Sequence, residues 1–121
     1  KSTVDYIGIV QGIPVCFDAK ECTTDTFPLH NIHEHQMEFM KQFEKQGGIS
    51  FFIILFSCRD EKIYVPYRHV LKFWNRMKDG GRKSFRYEEL DRTYIIRSHS
   101  VVMLHYLEQI KLDLSERSEK D

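Results

Sequence analysis

What this chain lacks narrows the field before any motif is read. It has no excess of one charge, since 18 Lys and Arg stand against 18 Asp and Glu. No global field therefore draws it to nucleic acid or to an anionic surface, and any basic patch must be local. Cysteine is scarce: Cys16, Cys22 and Cys58 have neither zinc-site spacing nor the even count of a disulfide framework. They read as free thiols in a reducing compartment, with Cys16 a small core residue. No apolar run approaches the roughly 20 residues that cross a bilayer, and nothing near Lys1 has the pattern of a signal peptide. The expectation is a cytoplasmic protein with no membrane partner. Repeats and low-complexity linkers are absent too.

What is present fits one domain. With 121 residues, 41% of them hydrophobic, the chain can bury a core. We expect a single domain over 1–114 and a charged, frayed tail over 115–121. Val4 to Val10 and Ile13 to Ala19 are apolar runs separated by Gln11-Gly12, a two-residue hairpin turn with Gly12 supplying a positive φ. Both faces of both runs are largely apolar, so the hairpin is expected to be covered on both sides. Leu29 to Gln46 has helical spacing, with Leu29, Ile32, Gln36, Phe39, Met40 and Phe43 in one stripe. Thr26 or Asp25 is the expected cap, Pro28 suits the first turn, and Gly47-Gly48 ends the helix. The apolar run from Ile49 to Phe56 predicts a central buried strand, and Ile63-Tyr64-Val65 a short strand after it. Tyr67 to Lys78 predicts a second helix with Val70, Leu71, Phe73, Trp74 and Met77 inward. A basic loop at Gly80-Gly81-Arg82-Lys83-Ser84 follows, then a short segment through Leu90. An edge strand at Tyr94-Ile95-Ile96 and a last helix from Val101 to Leu114 complete the chain. The order predicts an α/β fold, a mixed central sheet flanked by helices.

Hairpin arithmetic singles out a site. If Gln11 and Gly12 form the turn, paired positions sum to 23, and Asp5 falls opposite Asp18. Lys20, two residues on, projects from the same face. Carboxylates directly across a ladder have Cβ atoms about 4.5–5.5 Å apart and repel, so they need a cation or a shared proton. Lys20 supplies one positive charge, and Mg2+ suits the remaining hard oxygen ligands, since it typically takes one or two carboxylates plus water and phosphate. Such a site suits phosphodiester hydrolysis. The plainer reading is two hydrated strand ends; the register match is what separates the two readings. Gln36, a polar residue on an apolar stripe, needs a buried partner and is placed to reach this site or to bond to backbone. His30, His33 and His35 look metal-like, but position 37 is Met37 rather than the second His of a zinc-protease motif. On a helix His33 and His35 would project about 200° apart, so we read the histidines as surface or capping residues. Arg82 and Lys83, beside paired glycines, suit phosphate contact, although a solvated loop has the same composition.

These residues carry a family resemblance. Asp5, then Asp18-Ala19-Lys20, Phe27-Pro28-Leu29 and His33-x-His35-Gln36 strongly resemble the RecU Holliday junction resolvases of the PD-(D/E)xK nuclease superfamily. Gly47-Gly48-Ile49, the Trp74-Asn75 helix and Gly80-Gly81-Arg82-Lys83-Ser84 are similar to the same family in the same order. The resemblance implies a restriction-endonuclease-like fold, a homodimer, Mg2+ dependence and paired incision of four-way recombination junctions. It makes Asp5 and Asp18 metal ligands, Lys20 the catalytic lysine, Gln36 an active-site helper, and Arg82 and Lys83 DNA contacts. Two departures stand out. Asp18 occupies a position where Glu is expected in many members, and its shorter side chain would shift the metal while still coordinating it. The family also carries, ahead of the position of Asp5, a helix with a further acidic residue and a stalk that engages the junction. If this sequence is an excerpt, that segment precedes Lys1; without it, junction specificity and cleavage would be weakened. The remaining alternatives are a related nuclease of other DNA specificity, a binding module that lost catalysis, and a factor that modulates a recombinase.

Overall fold

A computed structural model describes residues 3–96 together with Leu112, Asp113, Ser115 and Glu116. Its elements are β1 (Tyr6–Val10), β2 (Ile13–Cys22), β3 (Thr26–Pro28), α1 (Glu34–Lys45), β4 (Ile49–Phe56), β5 (Glu61–Pro66), α2 (Tyr67–Lys78), β6 (Ser84–Arg86) and β7 (Ile95–Ile96). Short 3-10 turns sit at Leu29–Asn31, Tyr87–Glu89 and Arg92–Tyr94. A five-stranded sheet has the order β1-β2-β4-β5-β7, and β3 pairs with β6 in a separate ribbon. The β2–β4 pair is parallel and the other ladders are antiparallel. This is the α/β architecture with a mixed sheet that the element order predicts. None of the helices among the described residues is long and apolar enough to cross a membrane.

Gln11 and Gly12 have φ of 51° and 83°, the two positive values that a tight hairpin turn between right-twisted strands requires. Val10 then pairs with Ile13, and Tyr6 with Phe17. β4 lies between β2 and β5, so its run Ile49–Phe56 is buried at every position except a half-buried Leu55. Phe52, Ile54 and Phe56 are fully enclosed, each worth about 1.5–3 kcal/mol of transfer free energy. α1 lies over the sheet face that carries Cys16 and Ser50, with Ser50 Oγ bonded to Cys16 Sγ and to the Met40 carbonyl. The opposite face carries a ladder of stacked rings, Tyr6–Phe17–Phe51–Tyr64–Tyr94, with centroids 4.1–5.3 Å apart at each step.

Two expectations need correction. The hairpin is not covered on both sides: β1 is an edge strand, and Tyr6, Ile7 and Ile9 are 42%, 58% and 72% exposed. Apolar composition alone cannot tell an edge from a centre. The first helix starts at Glu34, not Leu29, and neither Asp25 nor Thr26 caps it. Thr26–Pro28 instead pairs with Ser84–Arg86, and Phe27 stacks on Phe85 at 5.0 Å, both rings fully buried. Pairing between segments nearly sixty positions apart overrides the local capping signals, and three-residue strands leave no periodicity to read. The last helix lies mostly outside the described residues, although Leu112 and Asp113 are helical. Ser115 and Glu116 are also helical, and Glu116 accepts hydrogen bonds from Arg68 and Tyr94.

Candidate active site

The ladder between β1 and β2 stops at Tyr6–Phe17, and the next pair, Asp5 and Asp18, continues it with side chains. The Asp5 N–H donates to Asp18 Oδ1 at 3.0 Å, and the Ala19 N–H donates to Asp5 Oδ2 at 2.8 Å. Each carboxylate thus accepts a backbone proton from the other aspartate's strand, which draws two like charges together where Coulomb repulsion alone would part them. Asp18 is 5% exposed, whereas Asp5 is open to solvent.

Lys20 projects from the same face as Asp18, and its Nζ lies 3.0 Å from Asp18 Oδ2. That ammonium also donates to Gln36 Oε1 at 3.0 Å. Gln36 is the third residue of α1, buried on the apolar stripe, and it uses its full hydrogen-bonding capacity. Its Oε1 accepts from Lys20 and from the His33 N–H (3.2 Å), closing the first turn of the helix. Its Nε2 donates to Asp18 Oδ2 (3.0 Å) and to the Thr3 carbonyl (2.9 Å). One side chain therefore ties α1, β2 and the chain ahead of β1 together. The amide has one workable orientation, because the reverse would turn its NH2 against the Lys20 ammonium.

An open cleft of about 450 Å³ is lined by Thr3, Asp5, Asp18, Ala19, Lys20, His33, His35 and Gln36. The four residues singled out from the sequence, Asp5, Asp18, Lys20 and Gln36, all lie on it. Arg82 and Lys83 do not. They are exposed in the loop between α2 and β6, where the Lys83 carbonyl accepts the Leu29 N–H at 3.0 Å and Arg82 lies 3.8 Å from Glu89. Sequence reasoning missed the cleft position of His33 and His35. It treated both as helical, but His33 is the residue before the first turn, with φ −81° and ψ 148°. The two rings therefore do not diverge; they stack, with centroids 5.4 Å apart and planes 9° from parallel. The signal in the sequence is the His-x-His-Gln run, which places the cap at His33, three residues before Gln36.

Two carboxylates and one ammonium leave a negative charge to be compensated, in a cleft open to water. No cluster of three His, Cys, Asp or Glu side chains placed to hold a metal is found among the described residues. The donors on offer are the carboxylate oxygens of Asp5 and Asp18, a hard and partial set. It fits Mg2+, which keeps several waters and takes phosphate oxygens, better than Zn2+, which takes a nitrogen- and sulfur-rich tetrahedron.

Comparison with known proteins bears on this cleft. Residues 1–112 match the family described as Recombination protein U, RecU. The Holliday junction resolvase RecU of Bacillus cereus (strain B4264) is 46% identical over 91 residues, covering 74% of this chain and 46% of that protein. The Holliday junction resolvase RecU of Bacillus thuringiensis (strain Al Hakam) is 47% identical over 90 residues, covering 74% of this chain and 45% of that protein. The chain spans about half the length of the curated relatives it matches.

Proposed function

The chain belongs to the RecU family, and on that premise we propose that it is the nuclease core of a Mg2+-dependent endodeoxyribonuclease that resolves four-way (Holliday) junctions in recombination and repair. The observation that carries this reading is the interlock of Asp5, Asp18, Lys20 and Gln36 on one open cleft. Asp5 and Asp18 would hold the metal through their carboxylate oxygens. When bound, Mg2+ lowers the pKa of water and neutralises charge on a phosphate oxygen.

The remaining work falls to the chain's own groups. Lys20 Nζ, fixed between Asp18 and Gln36 at 3.0 Å from each, is oriented before substrate arrives. With two of its three N–H groups so engaged, it keeps one to donate to a phosphate oxygen as charge builds there. A donor that needs no reorganisation is worth about 10²–10³ in rate. Gln36 holds the ammonium and the carboxylate in their relative places. Arg82 and Lys83 contact DNA phosphates away from the cleft. A homodimer would set two such clefts on opposing strands, so that both incisions fall within one encounter, and a recombinase is the expected protein partner.

Cleavage of a synthetic four-way junction, beside a linear duplex, tests the reading with Mg2+ and with chelator. Symmetric cuts in the junction that need Mg2+, and that drop by at least about 10²-fold in Asp18→Asn, support it. Junction binding with no cutting by the unaltered chain would replace it with a binding module. Equal cutting of both substrates would keep the nuclease and remove the junction preference.

A further inference from the structure

The stacked histidines are the part of the cleft that the hydrolytic reading leaves unused. We propose that His33 and His35 form a phosphate grip that seats the DNA strand beside the scissile position. The proposal rests on the nuclease reading above and assigns the pair to substrate binding rather than to the reacting centre.

Three observations carry it. Both rings line the same cleft as Asp5, Asp18 and Lys20. Both residues are exposed, and among the described residues neither is in an ion pair with Asp or Glu. A histidine kept only to stabilise the fold is more often packed inside or matched to an acid. Lastly, the rings are stacked, with centroids 5.4 Å apart and planes 9° from parallel, so the two imidazoles present their edges side by side. Two donors so arranged are within reach of the oxygens of one phosphate, and imidazole donates a proton from one ring nitrogen even when neutral.

The surroundings favour an anion at this place. His33 and His35 flank the start of α1, a helix of 12 residues whose N-terminal end carries partial positive charge. Gln36 locks that end to Asp18 and Lys20, so the pair stands at a fixed position relative to the carboxylates. A metal is the competing ligand for two imidazoles. It would be a nitrogen-seeking ion such as Zn2+, which takes four donors where the pair supplies two, whereas Mg2+ seeks oxygen. A DNA strand seated on Asp5 and Asp18 through one phosphate must leave the cleft past its rim. The histidines offer the next phosphate a hydrogen-bond contact on that path.

The test is the affinity of the chain for a four-way junction in chelator, where cutting is suppressed, followed by steady-state cleavage in Mg2+. His33→Asn keeps a residue suited to the helix cap while removing the ring, and His35→Ala leaves a good helix former at an exposed position. The double variant is expected to raise Kd about tenfold, with KM rising more than the change in kcat. His35→Lys, which restores a phosphate donor, should recover most of the His35→Ala loss, as a merely structural role would not. Thermal midpoints of the single and double variants separate loss of fold from loss of contact, and His35→Ala alone suffices if the double variant unfolds. Unchanged Kd and KM in folded variants would overturn the grip while leaving the nuclease intact. So would a fall in kcat with KM unchanged, which would move the pair to the reacting centre. If the unaltered chain neither bound nor cut junctions, the nuclease reading would fail first and take the grip with it.

Discussion

Two aspartates are buried against the same sheet, and only one of them stands beside an open cleft. Asp18, 5% exposed, projects under α1 and is matched by Lys20, by the Gln36 amide and by a backbone N–H. Asp113, fully buried, lies against Tyr64 on the face with the aromatic ladder, where Tyr64 Oη donates to it at 2.8 Å and Arg68 pairs with it. Both acids thus have a cation and a neutral donor, which is what burial of a charge requires anywhere. The difference lies in what stands beside them. Asp18 shares a cleft with a second carboxylate and solvent, whereas Asp113 is closed in by a phenol and a guanidinium that also reaches Glu116. A buried, compensated carboxylate is a structural fact; a second carboxylate across an open cleft is what points to a reaction.

Matched amide substitutions should separate the two. Asp18→Asn removes the charge that pairs with Lys20 and that the proposed metal would need, so cleavage should fall by at least about 10²-fold while the fold survives. Asp113→Asn should do the reverse. It removes the buried charge that faces Arg68 and should cost about 3 kcal/mol, the lower end for breaking a buried pair. The loss would be read as a lower urea midpoint, with unchanged cleavage per folded molecule. Similar losses of activity in both, at equal folded fraction, would break the distinction. Lys20→Ala sharpens it further: cleavage should drop about 10²–10³-fold, with junction binding in chelator largely kept. If binding fell as far as cleavage, Lys20 would hold DNA rather than the reaction.

Much of this contrast was legible in the sequence on the Asp18 side and little of it on the Asp113 side. The Gln11-Gly12 turn sets the register, register sets Asp5 against Asp18, and period two sets Lys20 beside it; each step is local or follows from pairing rules. Gln36 was marked by being polar on an apolar stripe. The run Ile49–Phe56 and the helix Tyr67–Lys78 were legible to the residue because their patterns are long. The ribbon of β3 and β6 was not, because a three-residue strand is specified by its distant partner and not by its own pattern. The exposure of Ile7 and Ile9 also escaped, since position in a sheet is a property of topology. The Tyr64–Arg68–Asp113 group joins residues 45 and 49 positions apart with no motif to announce it.

The smallest expected effect lies on the Asp113 side and concerns pH. His69, on α2, is half-buried with its ring edge-on to Tyr94 at 5.8 Å. Burial and, behind it, the Arg68 guanidinium push its pKa below the ordinary 6.5, while Glu116, Asp113 and Asp91 oppose that shift. The folded chain therefore resists a proton that the unfolded chain accepts. The resulting stability is present above pH 6.5 and is lost as pH falls from there through the depressed folded-state value. Urea midpoints at pH 7.5 and 5.5 should consequently differ more in the unaltered chain than in His69→Gln, which cannot titrate. An identical drop in the two would assign the acid sensitivity to carboxylates instead. Because His69 is not among the residues lining the carboxylate cleft, the same substitution should leave the pH profile of cleavage in place, separating the pH dependence of the fold from that of the reaction.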